Sequence, residues 1–359
     1  VTLVDNASHI LSDLDYDFAL MVQQKLEQKG LTILTNTSVK EFLPDKAVLS
    51  NGTKIKYDIA IIATGNKSEV RLPIMTDIEI GETGGIIVNN YMQTSIDDIL
   101  ACGDNIQVDD LITNMPIRIS NASLAVRSAK IAADNAVGIQ SRLGAVLKNQ
   151  VLKVFDYVIG AAGCNEDDLK KAGIPYHKLY FAMENGESYV ETSQKMRFKL
   201  LFGLDGKILG FQAMGKEGIF GRLNVVAAIM NHQGSVQELA EMPIAYFPEL
   251  SRAKDALNDM GSLALEISFE RLRVTTSDDL KTDDVILNVC AADRFKQRGG
   301  HQAINIPLAA LRKNLTNLPK NKKIIVTCNG GYASYLAYCI LTQRGFDRVF
   351  LLNSPEIWQ

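Results

Sequence analysis

The stretch Thr94-Ser95-Ile96-Asp97-Asp98-Ile99-Leu100-Ala101-Cys102-Gly103-Asp104 decides how this chain is read. Residues 99–101 form a short apolar run expected to be a strand. It ends in Gly103-Asp104, and Thr94 stands ten residues ahead of the acid. Glycine at a strand's C-terminal end lets a ligand approach the backbone closely, and an acid after it accepts hydrogen bonds from sugar-like hydroxyls. A turn aspartate after a buried strand is the plain alternative. The upstream Thr-Ser pair and the apolar run favour the cofactor-binding reading.

Upstream, strand and helix signals alternate. Residues 1–4 read as a β-branched strand that ends in Asp5. Asp15 is placed to cap an amphipathic helix over residues 18–29, with Leu20, Met21 and Leu26 at helical spacing and Gly30 as its stop. Residues 31–34 read as a strand. Asn51-Gly52 is a hairpin turn between residues 47–49 and 55–57. Ile59-Ala60-Ile61-Ile62-Ala63 is a continuous apolar run, predicted to be a buried parallel strand, and it leads directly into Thr64-Gly65.

Downstream, residues 123–137 form an Ala-rich helix closed by Gly138, and the pattern changes near residues 143–149. Residues 151–157, 198–202 and 208–211 read as antiparallel strands, with Asp205-Gly206 as a hairpin turn between the last two. Helices are expected over residues 223–230 and 236–239, and residues 256–280 read as a linker. Strands at 285–289, 324–327 and 349–352, with a helix at 334–343, predict a small α/β domain at the end.

With 359 residues, 47% hydrophobic and 22% charged, the chain suits two or three globular domains. A net charge of -3 gives no electrostatic case for nucleic acid or an anionic membrane surface, and no apolar run is long enough to span a bilayer. The five cysteines are dispersed without a CxxC pair, which points to a reducing compartment, the cytoplasm. No Cys/His cluster has metal-ligand spacing, so no metal is expected. The opening Val1-Thr2-Leu3-Val4-Asp5, with neither initiator Met nor signal region, reads as a strand cut from a larger protein.

These motifs together resemble the NADH oxidase / coenzyme A-disulfide reductase family of FAD-dependent pyridine nucleotide–disulfide oxidoreductases, fused to a C-terminal rhodanese domain. The stretch ending in Gly103-Asp104 is similar to the family's second flavin motif, which implies that Asp104 contacts the ribitol of FAD. The strand running from Tyr57 to Gly65 resembles the return from the nicotinamide domain, with Gly65 against bound nicotinamide nucleotide. Asn66-Lys67-Ser68 keeps the usual base but lacks the usual Pro. Val1–Asp5 resembles the second strand of a nucleotide-binding βαβ unit. An acid there binds the ribose 2′-hydroxyl and repels a 2′-phosphate, so NADH is favoured within NAD(P)H. Gly163-Cys164-Asn165-Glu166 and Lys207 to Gly215 resemble the dimerisation domain. Ala245-Tyr246-Phe247-Pro248, followed by Ser251-Arg252-Ala253-Lys254-Asp255, is similar to the segment presented to the partner subunit's flavin site. The resemblance implies that Tyr246 donates a hydrogen bond to a redox sulfur; a buried interface tyrosine is the alternative. Tyr189-Val190-Glu191 matches the family's second active-site Tyr loosely, and Phe220-Gly221-Arg222 replaces its Asp-Lys-Arg.

Gly300-His301-Gln302-Ala303-Ile304-Asn305-Ile306-Pro307-Leu308 and Ile325 to Ser334 resemble rhodanese segments, the second containing the active-site loop, and residues 350–358 resemble the closing strand and Trp. Cys328, between a strand end and a helix N-terminus, gains thiolate stabilisation from backbone N–H groups and the helix dipole. Its alternative is a buried small hydrophobe. Ala333 stands where the loop usually carries Arg, and Cys290 where the opening strand usually ends in Arg. Cys102, Cys164 and Cys339 read as structural.

The expected fold is α/β and α+β multidomain. It comprises a partial NAD(P)-binding domain (1–72), a second segment of the FAD-binding domain (73–149), an α+β dimerisation domain (150–256) and an α/β rhodanese-like domain (268–359). The resemblance implies a homodimer that uses FAD and NAD(P)H on coenzyme A disulfide, a persulfide or another low-molecular-weight thiol. The family's Gly-rich loops and redox-active cysteine would lie upstream. An NADH oxidase or peroxidase of the same fold, or a non-catalytic dimerisation and sulfur-carrier fragment, are the alternatives.

Overall fold

The computed structural model describes residues 1–297, 303–328 and 330–354, and the chain divides into two compact units, Val1–Gln150 and Val151–Gln359. In the first unit, β1 (Thr2–Val4) pairs in parallel with β2 (Thr32–Leu34) through α1 (Tyr16–Gln28), a βαβ start to an α/β layer. α1 begins after Asp15, whose side chain makes no capping bond, and stops two residues before Gly30 (φ 87°); its buried stripe is Phe18, Ala19 and Val22, while the expected Leu20, Met21 and Leu26 are only half-buried. β3 (Val39–Leu43), β4 (Lys46–Leu49) and β5 (Lys54–Lys56) form an antiparallel meander whose second turn holds Asn51-Gly52. After α2 (Arg71–Met75), β6 (Ile86–Ile87) pairs in parallel with β7 (Ile106–Asp109), which pairs with β8 (Pro116–Ile117). α3 (Ala122–Ala136) packs Leu124 and Ile131 against Met92, Ile106 and Val108.

Two expectations fail here. The run 59–63 is not a strand: Ile59 is 82% exposed and Ile61 88%. A buried parallel strand is made by its neighbours, and among the described residues none pairs with this run. Residues 99–101 carry only a bridge from Leu100 to Gln93, and the ladder strand is β7, just after Gly103-Asp104.

The second unit opens with β9 (Asn149–Val154), β10 (Tyr157–Gly163), α4 (Glu166–Lys171), β11 (Tyr176–Glu184), β12 (Lys195–Gly203) and β13 (Ile208–Gly215). These strands form one sheet in the order β11-β12-β13-β10-β9, with β11 as an edge. α5 (Ile219–Asn231) and α6 (Val236–Glu241) follow, both near the predicted positions. The expected linker is instead largely a helix, α7 (Ala256–Ser268). Asp255 caps it by accepting from the Leu257 N–H, and Leu257, Met260, Leu263, Ala264 and Ile267 bury its apolar face.

The last elements are β14 (Val274–Thr275), β15 (Val285–Asn288), α8 (Ala292–Gln297), β16 (Ile304–Asn305), α9 (Leu308–Leu311), β17 (Ile324–Thr327), α10 (Tyr332–Gln343) and β18 (Val349–Leu352). They build a parallel sheet in the order β14-β18-β17-β15-β16, the predicted α/β domain. Gly300-His301-Gln302, Asn329 and the closing Trp358 lie outside the described residues.

Candidate functional site

Two groups of predicted residues are brought together, one in each unit. In the first, a single 3-10 turn, Gly103–Asn105, follows Cys102, and Gly103 sits at φ 81° with open space where a Cβ would be. Its N–H donates to Ser128 Oγ on α3 (3.0 Å), which fixes the turn to the helix. The exposed Asp104 carboxylate accepts from Ser120 Oγ at 2.7 Å. Ser120 in turn accepts from Asn66 Nδ2 at 2.6 Å, and Arg118 grips Asn66 through its side-chain oxygen (3.1 Å) and its carbonyl (2.9 Å). Gly65, at φ 85° with nothing near its missing Cβ, immediately precedes Asn66. One polar network therefore joins the two glycine turns. Ser120 and Arg118 carry no sequence signal, being single polar residues on an irregular stretch.

Asp5 ends β1 as expected. Its carboxylate accepts from the Ala7 N–H (2.9 Å), and its backbone is tied to Leu34 and Thr37 rather than to the Asp104 network. Thr94 closes its own loop by donating to Ile99 O at 3.0 Å. Cys102 is exposed rather than structural, whereas Cys164 and Cys290 are buried.

In the second unit Tyr246 is 53% exposed. Its hydroxyl is hydrogen-bonded to Tyr189, which raises its pKa above the ordinary tyrosine range; slight burial and the Glu187 carboxylate act in the same direction. The loose match at Tyr189 thus lands beside Tyr246. Backbone and side-chain bonds hold the two segments together. Glu187 N donates to Pro248 O (2.8 Å) and Ala253 N to Glu187 Oε1 (2.9 Å). Beneath them the buried Arg222 binds the Asp255 carboxylate through Nε (3.0 Å) and donates to Asn185 O (3.3 Å) and Leu250 O (3.2 Å). The guanidinium clamps the carbonyls on either side of the tyrosine pair.

Cys328 is half-buried directly after β17, the middle strand of its sheet, and α10 begins four residues later. Gly330 (φ 80°) makes the turn, and its N–H bonds Cys328 O at 2.7 Å. Cys339 is not core but half-buried on α10. Burial raises its thiol pKa, and the Tyr335 hydroxyl bonds it. None of the five cysteines, all among the described residues, forms a disulfide.

A glycine-acid turn in an α/β layer, then an antiparallel sheet, then a parallel sheet with a cysteine at its central strand end, define a mixed α/β multidomain protein. The chain belongs to the pyridine nucleotide-disulphide oxidoreductase family. That family's profile matches residues 1–136, its dimerisation-domain profile matches residues 150–257, and a rhodanese-like domain profile matches residues 276–354. An NADH oxidase of Methanocaldococcus jannaschii is 30% identical over 276 residues, 76% of this chain and 60% of that protein. An NAD(P)H sulfur oxidoreductase (CoA-dependent) of Pyrococcus furiosus is 28% identical over 72% of this chain and 59% of its own length. Among solved structures, a NAD-dependent persulfide reductase from A. fulgidus superposes with a TM-score of 0.92 at 28% identity, covering 100% of this chain and 67% of that one. Reduced Bacillus anthracis CoADR-RHD superposes with a TM-score of 0.92 at 29% identity, over 98% and 65%. The chain spans about 60% of the length of the curated relatives it matches. No helix among the described residues is long and apolar enough to cross a membrane.

The family uses FAD and NAD(P)H. The residues present fit such a ligand: a carboxylate and a hydroxyl suited to a polyhydroxyl chain, an arginine suited to an anionic group, and two glycine turns with room for close backbone approach.

Proposed function

We propose that this chain belongs to a homodimeric, cytoplasmic NADH-dependent flavoenzyme that reduces coenzyme A disulfide or persulfide. Its rhodanese-like domain accepts sulfane sulfur at Cys328. The observation that carries this reading is the position of Cys328, at the central strand end of a parallel sheet that shares one compact unit with Tyr246. The CoADR-RHD and persulfide reductase structures match 98–100% of the chain, its rhodanese-like stretch included.

Asp104 and Ser120 would hold the ribitol hydroxyls of FAD, Gly65 the nicotinamide nucleotide, and Asp5 its ribose. Bound flavin supplies two-electron transfer from NADH to a disulfide or persulfide. Tyr246, kept protonated by its bond to Tyr189, donates to the sulfur that leaves as thiolate. At the second site the Cys328 thiolate attacks the outer sulfur of a persulfide R–S–SH. A new S–S bond forms on Cys328 and R–S⁻ departs, with no net oxidation. The exposed apolar run 59–63 accords with this reading, because the remaining strands of a two-dinucleotide fold would cover it.

The test is NADH-dependent turnover of coenzyme A persulfide by the full-length protein and its Cys328→Ser variant. A several-fold loss in the variant is expected; unchanged turnover removes Cys328 from the mechanism.

A further inference from the structure

Among the described residues β11 is the edge strand of the dimerisation sheet, with no strand paired on its outer side. The rhodanese-like domain meets them one after another. Asn353, 2% exposed and just beyond β18, donates from Nδ2 to Lys178 O (2.7 Å) and accepts from Tyr180 N at Oδ1 (2.8 Å). Two residues further along β11, the Ala182 N–H donates to Gly330 O at 2.7 Å. Asn353 and Gly330 lie just past the ends of the neighbouring strands β18 and β17. Beside them Lys254 Nζ, held by Asp259 Oδ1 (2.7 Å), stands 5.2 Å from the ring centre of Tyr332, the first residue of α10.

Gly330 belongs to the Cys328 loop, and a planar trans peptide points its C=O and the next N–H in opposite directions. Pinning the Gly330 carbonyl onto β11 therefore turns the Gly331 N–H away from β11. That N–H belongs to the N-cap residue of α10, one of the donors with no partner inside the helix. Resting on the reading of Cys328 above, we propose that β11 of the dimerisation domain is the template for the Cys328 loop. Ala182 and Asn353 act as positioning residues that orient the Gly331 N–H, turned away from β11, toward the persulfide. The sulfur site is thus a composite of two domains, and its geometry depends on their docking.

The Ala182 N–H faces away from β12, so Ala182→Pro removes the bond to Gly330 and leaves the β11–β12 ladder its own hydrogen bonds. Sulfur transfer is measured on the full-length protein with coenzyme A persulfide as donor and cyanide as acceptor, read as thiocyanate. Ala182→Pro and Asn353→Ala are each expected to lower kcat about tenfold with KM changed less than about threefold. Ala182→Gly, which keeps the N–H, restores the wild-type rate. Wild-type kcat in both Ala182→Pro and Asn353→Ala, with Cys328→Ser inactive, overturns the template. Wild-type transfer by Cys328→Ser overturns the reading of Cys328 itself, a separate and recognisable failure. Should Ala182→Pro not fold, Asn353→Ala decides alone.

Discussion

Ser120 carries one hydroxyl between two groups that the chain keeps 38 residues apart, Asn66 and Asp104. Its removal leaves the carboxylate without its protein donor and breaks the network's link between the two glycine turns, with the Glu69 N–H to Asn105 Oδ1 bond (3.2 Å) still joining their segments. A hydrogen bond to a charged group contributes about 1.5–3 kcal/mol, so Ser120→Ala is expected to weaken flavin binding by roughly tenfold or more. Flavin fluorescence titration of the full-length protein measures this, and unchanged affinity would take Ser120 out of the site. At Tyr246 the sign follows from the raised pKa: the phenol proton is in place at all pH below the ordinary tyrosine range and leaves only as pH rises through the higher value. Tyr189→Phe removes the main cause, so the alkaline limb of the rate profile should move to lower pH. An unmoved limb would show that Tyr246 is not the titrating donor. The glycines and Asp104 are legible in sequence because their backbone needs are local. Ser120, Arg118 and the Tyr189–Tyr246 pair are not, because partners 57 residues apart are joined only by the fold.

Elements differ in legibility for the same reason. α1 was readable as a helix because its apolar spacing and the Gly30 stop are local, although the side chains that it buries are Phe18, Ala19 and Val22 rather than Leu20, Met21 and Leu26. The run 59–63 has the composition of a buried strand, but burial belongs to neighbours that no short window contains. α7 hides behind Asn258, Asp259, Gly261 and Ser262, which read as turn residues. Gly261 has a packing reason: a Cβ there would lie 2.4 Å from Ala240 N on α6. Gly261→Ala must separate two helix backbones and is expected to cost at least about 1–3 kcal/mol, measured by denaturant unfolding. β12 carries a second case. Lys199, 1% exposed, donates to Glu166 at 2.6 Å, and Tyr176 donates to the same carboxylate at 2.6 Å. Burial alone would raise the Glu166 pKa, but the Lys199 ammonium, the Tyr176 bond and Lys178 outweigh it and hold it at about 2. A depressed carboxylate stabilises the fold above its unfolded value near 4.5, and that contribution is lost as pH falls through about 2. The drop of about 2.5 units is worth at most about 3 kcal/mol. Unfolding curves across that window should flatten in Glu166→Gln; an unaltered pH slope would contradict the assignment.

At the scale of the molecule, three domain types follow one another along one chain, and the later two form one compact unit. That order was readable from sequence, since each domain carries its own hairpins, glycine turns and strand runs. The docking of the rhodanese-like domain onto β11 was not, because Asn353 and Ala182 are ordinary residues whose roles appear only when two sheets meet. Buried Arg222 links this scale to the tyrosine pair. Asp255→Ala leaves its charge unpaired and is expected to destabilise by about 3–5 kcal/mol, with loss of the Tyr189–Tyr246 bond. Thermal unfolding combined with a tyrosine titration checks both parts.

The central claim, a flavoenzyme whose oxidant is sulfur, is tested most directly by anaerobic NADH oxidation in the full-length protein. The account predicts that NADH is consumed only when coenzyme A disulfide or persulfide is added, in proportion to the sulfur substrate reduced. NADH oxidation that needs oxygen and is indifferent to either sulfur compound would contradict it.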